Sequence, residues 1–187
     1  GEEELAGRGV SYCATCDGAF YRGKDVCIVG GGNTALEDAL FLSNNCSSVT
    51  LIHRRDEFRA HKVTVDAVKA RENITILPFY TVEEIKGDSK VEQAVLQNTK
   101  DGSQRVVNTA AVFIAVGLAP ENELFRGLVQ MDEAGYIVAG EDCRTSAKGV
   151  FVAGDTRTKS VRQLVTAAAD GAVAAVEAAG DINQGIW

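Results

Sequence analysis

Hydrophobic and polar positions change rhythm from segment to segment along this chain. "KDVCIVG", ending at Gly30, is a short continuous apolar run closed by glycine, which predicts a buried strand. The following "GGNTALEDALFLSNN" places apolar residues at Ala35, Leu36, Ala39, Leu40 and Leu42, the stripe of an amphipathic helix, and "SVTLIHRR" returns to a strand. Strand, helix, strand in that order predicts a right-handed βαβ unit with parallel strands. A second helical pattern runs through "AHKVTVDAVKARE", and "NITILPF" is again a strand. "TVEEIKG", "KVEQAVLQN" and "QRVVN" alternate about the polar turns "DS" and "KDGS", predicting an antiparallel meander that crosses over the sheet. "AAVFIAVG" reads as another buried strand.

The pattern breaks between Gly117 and Pro120, where a domain boundary is expected. Beyond it, "MDEAGYIVAGEDCRTSAKG" has loop chemistry, "GVFVAGD" reads as a buried strand, and an alanine-rich helix is expected from about Val161 to Ala179, its small side chains allowing a neighbour to pack closely. One strand and one helix enclose too little apolar surface to offset chain entropy, so this segment is expected to need partners and to be the less stable part.

The 187 residues are 45% hydrophobic, which suits one good core or two small domains. The apolar runs are too short or too interrupted by charge to span a bilayer, and "GEEELAGRG" has no basic or apolar leader region, so a cytoplasmic protein without a membrane partner is expected. A net charge of -7 argues against a general nucleic-acid binder, although a local basic cluster still suits an anionic ligand.

Such a cluster accompanies a glycine turn. Gly30, Gly32 and Ala35 form G-x-G-x-x-A at the strand-to-helix junction, with Asn33 and Thr34 between them, a pattern that brings backbone and helix N-terminus close to a pyrophosphate. An NAD site usually has an acidic residue after the second strand. This chain has "HRRDEFR" there, so His53, Arg54, Arg55 and Arg59 are expected to converge on a 2′-phosphate, which favours NADP over NAD. The alternative is a solvated basic turn paired to Asp56 and Glu57. Val116 and Gly117, closing the later apolar strand, are assigned to cofactor binding as well.

Five cysteines, at 13, 16, 27, 46 and 143, are unlike the even framework of a secreted disulfide scaffold. Cys27 and Cys46 fall in apolar patterns and read as small buried hydrophobes; Cys143 receives no role. Cys13 and Cys16 are spaced for joint chemistry. Zinc would need two more ligands, and the only histidines, His53 and His61, lie with the basic cluster. A structural bridge is exceptional in a reducing compartment, which leaves a dithiol that cycles, with Asp17 beside it to move protons. A flavin is the usual relay between NADPH hydride and a dithiol. "GVFVAGD", ending at Asp155, and "RQL", Arg162 to Leu164, offer a carboxylate and a helix start for part of such a site, although an ordinary strand-turn-helix accounts for them equally.

"GVSYCATCDG", "GGGNTALEDALFLS", "HRRDEFRA", "VFIAVG", and "GVFVAGD" with "RQL" occur in the order and spacing of bacterial-type, low-molecular-weight NADPH-dependent thioredoxin reductases, which the chain resembles over essentially its whole length. The resemblance implies an α/β fold: residues 1–118 as a Rossmann-like NADPH-binding domain, a three-layer parallel sheet with an antiparallel meander, and residues 119–187 as the C-terminal portion of a second, FAD-binding Rossmann-like domain. It implies Cys13 and Cys16 as the redox disulfide, Asp17 as the acid beside it, His53, Arg54, Arg55 and Arg59 on the 2′-phosphate, and Gly154, Asp155, Arg162, Gln163 and Leu164 against FAD. Electrons would pass from NADPH to FAD, to the cysteine pair and then to thioredoxin, in a homodimer whose domains swing on hinges before Val10 and near Gly117 to Pro120.

That family opens with a separate FAD-binding βαβ unit. Nothing of the kind precedes Gly1, so a fragment that binds NADPH and holds FAD poorly is expected. The alternatives are an NADPH-binding module without turnover, or the flavoprotein reductase of an alkyl hydroperoxide system. That relative prefers NADH and lacks the basic "HRR", and a ferredoxin-driven reductase would not need the basic clamp.

Overall fold

The apolar run 26–29 lies at the centre of a parallel sheet. In the computed structural model, which describes residues 1–186, five strands adopt the order β1-β8-β2-β3-β4: β1 Val10–Ser11, β2 Asp25–Val29, β3 Ser48–His53, β4 Ile74–Pro78 and β8 Ala111–Ile114. All four pairings are parallel, with Val26 opposite Val49 on one side and Ala111 on the other. The intervening strands β5 Tyr80–Lys86, β6 Gln93–Asn98 and β7 Gln104–Asn108 form a separate antiparallel sheet.

Residues alternate between two covered faces, which is why the strands are apolar throughout. Val26, Ile28, Val49, Leu51 and Phe113 pack with Ala35, Leu36, Ala39 and Leu42 of α2 (Asn33–Ser43) and Val68 of α3 (Lys62–Lys69). Cys27, Ile52, Leu77 and Val112 pack on the opposite side with Ile85, Ala94 and Leu96 of the meander. Helices, parallel sheet and meander therefore form three layers. Ile28, Leu36, Leu51 and Phe113 are almost wholly removed from water, each stabilising the layers by roughly 1.5–3 kcal/mol. Two small elements carry no periodic signal in the sequence. One is β1, a two-residue edge strand on β8, and the other is the single turn α1, Ala14–Asp17.

The chain divides into two units, Gly1–Gly117 and the residues from Leu118 onward. In the second, the expected buried strand "GVFVAGD" does not form. Phe151 makes one isolated antiparallel bridge to Arg144, and the Val152 N–H donates to the Cys143 carbonyl at 2.9 Å. A strand requires a ladder along its length, and among the described residues no segment continues this one. The closing helix is also displaced: α4 spans Leu164–Gln184 rather than beginning near Val161 and ending near Ala179. Gln163 is extended (φ -143, ψ 154), and its N–H donates to Thr166 Oγ1 at 3.1 Å, so the helix can start only after it. Gly185, in the left-handed conformation at φ 68, ends it.

The apolar core of this unit is small, centred on Val129, Ile137 and Val152. Charged side chains take over the rest. Asp170 is buried and accepts Arg157 Nε at 2.8 Å, Arg157 Nη2 at 2.9 Å, Lys159 Nζ at 2.7 Å and the Gly154 N–H at 2.9 Å. Arg144 reaches Glu177 at 2.8 Å and Asp181 at 2.6 Å, tying the 143–145 loop to α4.

Candidate functional site

The crevice at the carboxyl ends of the parallel strands is where open α/β sheets bind ligands, at the point where strand order reverses. Here that point lies between β2 and β8. The turn leaving β2 is set by steric need. Gly30 has φ +152, and a Cβ there would come within 2.4 Å of the Ala115 carbonyl oxygen and 2.7 Å of the Ala35 Cβ. A Cβ on Gly31 would fall 2.1 Å from the His53 ring. Around Gly32 nothing lies within 4 Å of that position, so the space is open to a ligand. Gly32 is also the N-cap of α2 and makes no side-chain cap bond, leaving the first helical N–H groups facing that space.

The loop after β3 folds back over this turn. The Arg59 N–H donates to the Gly31 carbonyl at 2.7 Å, and the His61 N–H donates to Asn33 Oδ1 at 2.8 Å. His53 stacks on Phe58 with centroids 5.2 Å apart, and its Nε2 lies 3.1 Å from the Glu57 carbonyl. Since a carbonyl only accepts, Nε2 is the donor in that contact. Arg54, Arg55 and Arg59 are exposed, and among the described residues none of their guanidiniums is paired to a carboxylate. Asp56 and Glu57 thus leave the basic side chains uncompensated.

A cleft of about 800 Å³ is lined by Gly30, Gly32, His53, Arg54, Arg55, Arg59 and Val116. Its far wall is Tyr80–Ile85, mainly β5. The sequence marks this strand as part of a meander but not as the wall of the cleft, because which strand crosses the carboxyl ends depends on topology. Thr34, Ala35 and Gly117 do not line the cleft; Ala35 is fully buried beneath Gly30, and Asn33 is engaged with the His61 backbone.

Cys13 and Cys16 form a disulfide with Cα atoms 5.2 Å apart. Cys13 caps α1, Cys16 is exposed, and neither lines the cleft. Asp17 Oδ2 accepts the Ser11 hydroxyl at 2.7 Å, while Ser11 Oγ accepts the Cys13 N–H at 3.1 Å. Ser11 thus links disulfide and carboxylate, a role invisible without β1. The other cysteines are buried. Burial pushes the Cys27 thiol up to about 11 and raises Cys46 and Cys143, so all three stay as inert thiols. Among the described residues no group of His, Cys, Asp and Glu is arranged for a metal ion.

In the second unit, Gly154 (φ +85), Asp155, Arg162, Gln163 and Leu164 are brought to the start of α4. Arg162 Nε donates to the Asp155 carbonyl at 3.3 Å, and its guanidinium lies 4.0 Å from the Tyr136 ring centroid. Leu164 is 88% exposed.

The sequence profile of the pyridine nucleotide-disulphide oxidoreductases matches residues 1–171. A thioredoxin reductase of Mycolicibacterium smegmatis is 47% identical over 179 residues, covering 95% of this chain and 58% of that protein. The crystal structure of thioredoxin reductase from Streptococcus pyogenes superposes with a TM-score of 0.92 at 38% identity, over 97% of this chain and 60% of the other. Thioredoxin reductase from Giardia duodenalis gives 0.88 at 41% identity, over 98% and 60%. The chain therefore spans a little under 60% of the length of the curated relatives it matches, 58% for the first.

Proposed function

Because the chain belongs to the pyridine nucleotide-disulphide oxidoreductase family, we propose that it carries the NADPH-binding and dithiol steps of a thioredoxin-disulfide reductase. The observation that carries this reading is the presence, in one unit, of an accessible Cys13–Cys16 disulfide and an uncompensated basic loop over a glycine turn. Residues 1–118 are the NADPH domain, and residues 119–187 are part of an FAD domain. The partner is thioredoxin, the assembly a homodimer and the setting cytoplasmic. No helix among the described residues is long and apolar enough to cross a membrane.

The cleft fits a dinucleotide phosphate. Gly32 leaves room for close backbone approach, the α2 N-terminus suits the pyrophosphate, and Arg54, Arg55 and Arg59 suit a 2′-phosphate, with His53 beside them. Val116 borders the opposite side. Gly154, Asp155, Arg162, Gln163 and Leu164 would hold part of a flavin, with the start of α4 favouring its negative end. When bound, NADPH supplies two electrons as hydride and FAD relays them to the disulfide. Reduction of the Cys13–Cys16 bond consumes two electrons and two protons and yields two thiols. Asp17, held by Ser11, is the carboxylate that exchanges protons beside the sulfurs. One thiolate then attacks the thioredoxin disulfide, a mixed disulfide forms, and the second cysteine displaces it, restoring the Cys13–Cys16 bond and releasing thioredoxin as a dithiol.

Nucleotide titration tests this. The protein is expected to bind NADPH more tightly than NADH, and replacing Arg54 and Arg55 together by alanine to abolish most of the difference, since each charge-assisted phosphate contact contributes roughly 1.5–3 kcal/mol. Equal affinities in the unmodified protein would overturn the reading. The uncompensated basic loop also weighs against an NADH-preferring peroxide-system reductase.

A further inference from the structure

Phe79 stands at φ +64, a left-handed conformation that a bulky residue keeps only where its surroundings over-determine it. It follows Pro78, the residue in register with His53, and precedes β5, so this bend turns the chain from the parallel sheet into the cleft wall. The surroundings that hold it belong to the β6–β7 turn. The Thr99 N–H donates to the Phe79 carbonyl at 2.7 Å, and Lys100 Nζ sits 3.3 Å from the Phe79 ring centroid. The Thr99 hydroxyl shares its proton between two carbonyls, those of Phe79 at 3.2 Å and Arg54 at 3.4 Å.

The turn is stiff. The Asn98 N–H donates to the Ser103 carbonyl at 2.8 Å, the Gly102 N–H to the Asn98 carbonyl at 2.9 Å and the Lys100 N–H to Asn98 Oδ1 at 2.9 Å. Asp101 Oδ1 accepts the Ser103 N–H at 2.9 Å and its hydroxyl at 2.6 Å. A rigid element far along the sequence therefore reaches the backbone of the first arginine in the basic loop. Arg54 is exposed and unpaired, so its carbonyl tether limits the conformations that must be frozen when the guanidinium meets a phosphate.

Resting on the nucleotide reading of the cleft, we propose that Thr99 is a positioning residue for Arg54 and thereby a determinant of preference for the 2′-phosphorylated dinucleotide. Thr99→Val tests it, because valine keeps the side-chain shape and the backbone bond to Phe79 while removing the hydroxyl. Titration of the chain with NADPH and with NADH should show about two- to fivefold weaker NADPH binding and unchanged NADH binding, with Thr99→Ser restoring the original ratio. A ratio unchanged in Thr99→Val, or a loss falling equally on both nucleotides, overturns the inference. Unmodified protein that binds both nucleotides equally defeats the cleft reading and this inference with it. Unmodified protein that prefers NADPH beside an unresponsive Thr99→Val defeats this inference alone.

Discussion

His53 illustrates how much of a residue's role lies outside its motif. Its position at the end of β3 was legible from spacing, but its stacking on Phe58, its bond to the Glu57 carbonyl and its dependence on Gly31 having no side chain are visible only in three dimensions. The arginines around it were legible because charge at that position is a local signal. Ser11, Phe79 and Thr99 were not, since each acts through a partner brought close by strand pairing. Asp38, on α2, is another residue whose environment the sequence concealed. Burial, then the neighbouring Glu37 charge, pushes its carboxyl up from 3.8 to about 6. A raised folded value means that folding disfavours the charged form, so stability falls as pH rises through about 4 to 6. Asp38→Asn should therefore raise the melting temperature at pH 7.5, corresponding to on the order of 1–2 kcal/mol, with the gain shrinking toward pH 4. A gain of equal size at both pH values would show that charge burial is not its source.

The long elements of the first unit follow from periodicity, because each strand and helix there packs on a partner from the same unit. "GVFVAGD" carries the same apolar pattern, yet pattern alone does not make a strand without a neighbour to complete its ladder. In the second unit, ionic contacts do more of the positioning. Asp170, within the second turn of α4, binds Arg157, Lys159 and the Gly154 N–H, and so fixes the chain that leads into the helix. Hydrogen bonds from Arg157 and Lys159 hold its carboxyl well below the usual range. Asp170→Ala would leave buried Lys159 without its carboxylate and Arg157 with only the exposed Glu141 at 3.7 Å, a loss of about 3–5 kcal/mol when buried pairs are broken. Hydrogen exchange should then accelerate from Gly154 to Thr166 and through the first turns of α4, while β2, β3 and β8 keep their protection. Unaltered exchange in that segment would refute the anchoring role.

Taken as a whole, the molecule joins a unit held by two apolar clusters to one whose apolar core is small and whose helix carboxylates Asp170, Glu177 and Asp181 are paired with buried or half-buried cations. Acid should separate them. Asp170 and Asp181 have depressed folded values, each chiefly through hydrogen bonds from arginine, so the stability they supply is present above their unfolded value near 3.8 and is lost as pH falls below it. In the first unit Asp38 has the opposite sign and contributes more as pH falls from about 6 toward 4. The lowered groups there, Glu4 and Asp101, lie on the surface and in a turn, outside its apolar clusters. On lowering pH from 7 toward 2, amides of α4 should lose exchange protection at a higher pH than those of β2, β3 and β8, giving two steps rather than one. Added salt should weaken the half-buried pairs of Arg144 more than the buried contacts of Asp170, so the first step should keep most of its midpoint in 0.5 M salt if Asp170 dominates it. A single acid transition that removes protection from both units together would mean that the paired carboxylates do not set the stability of the second unit.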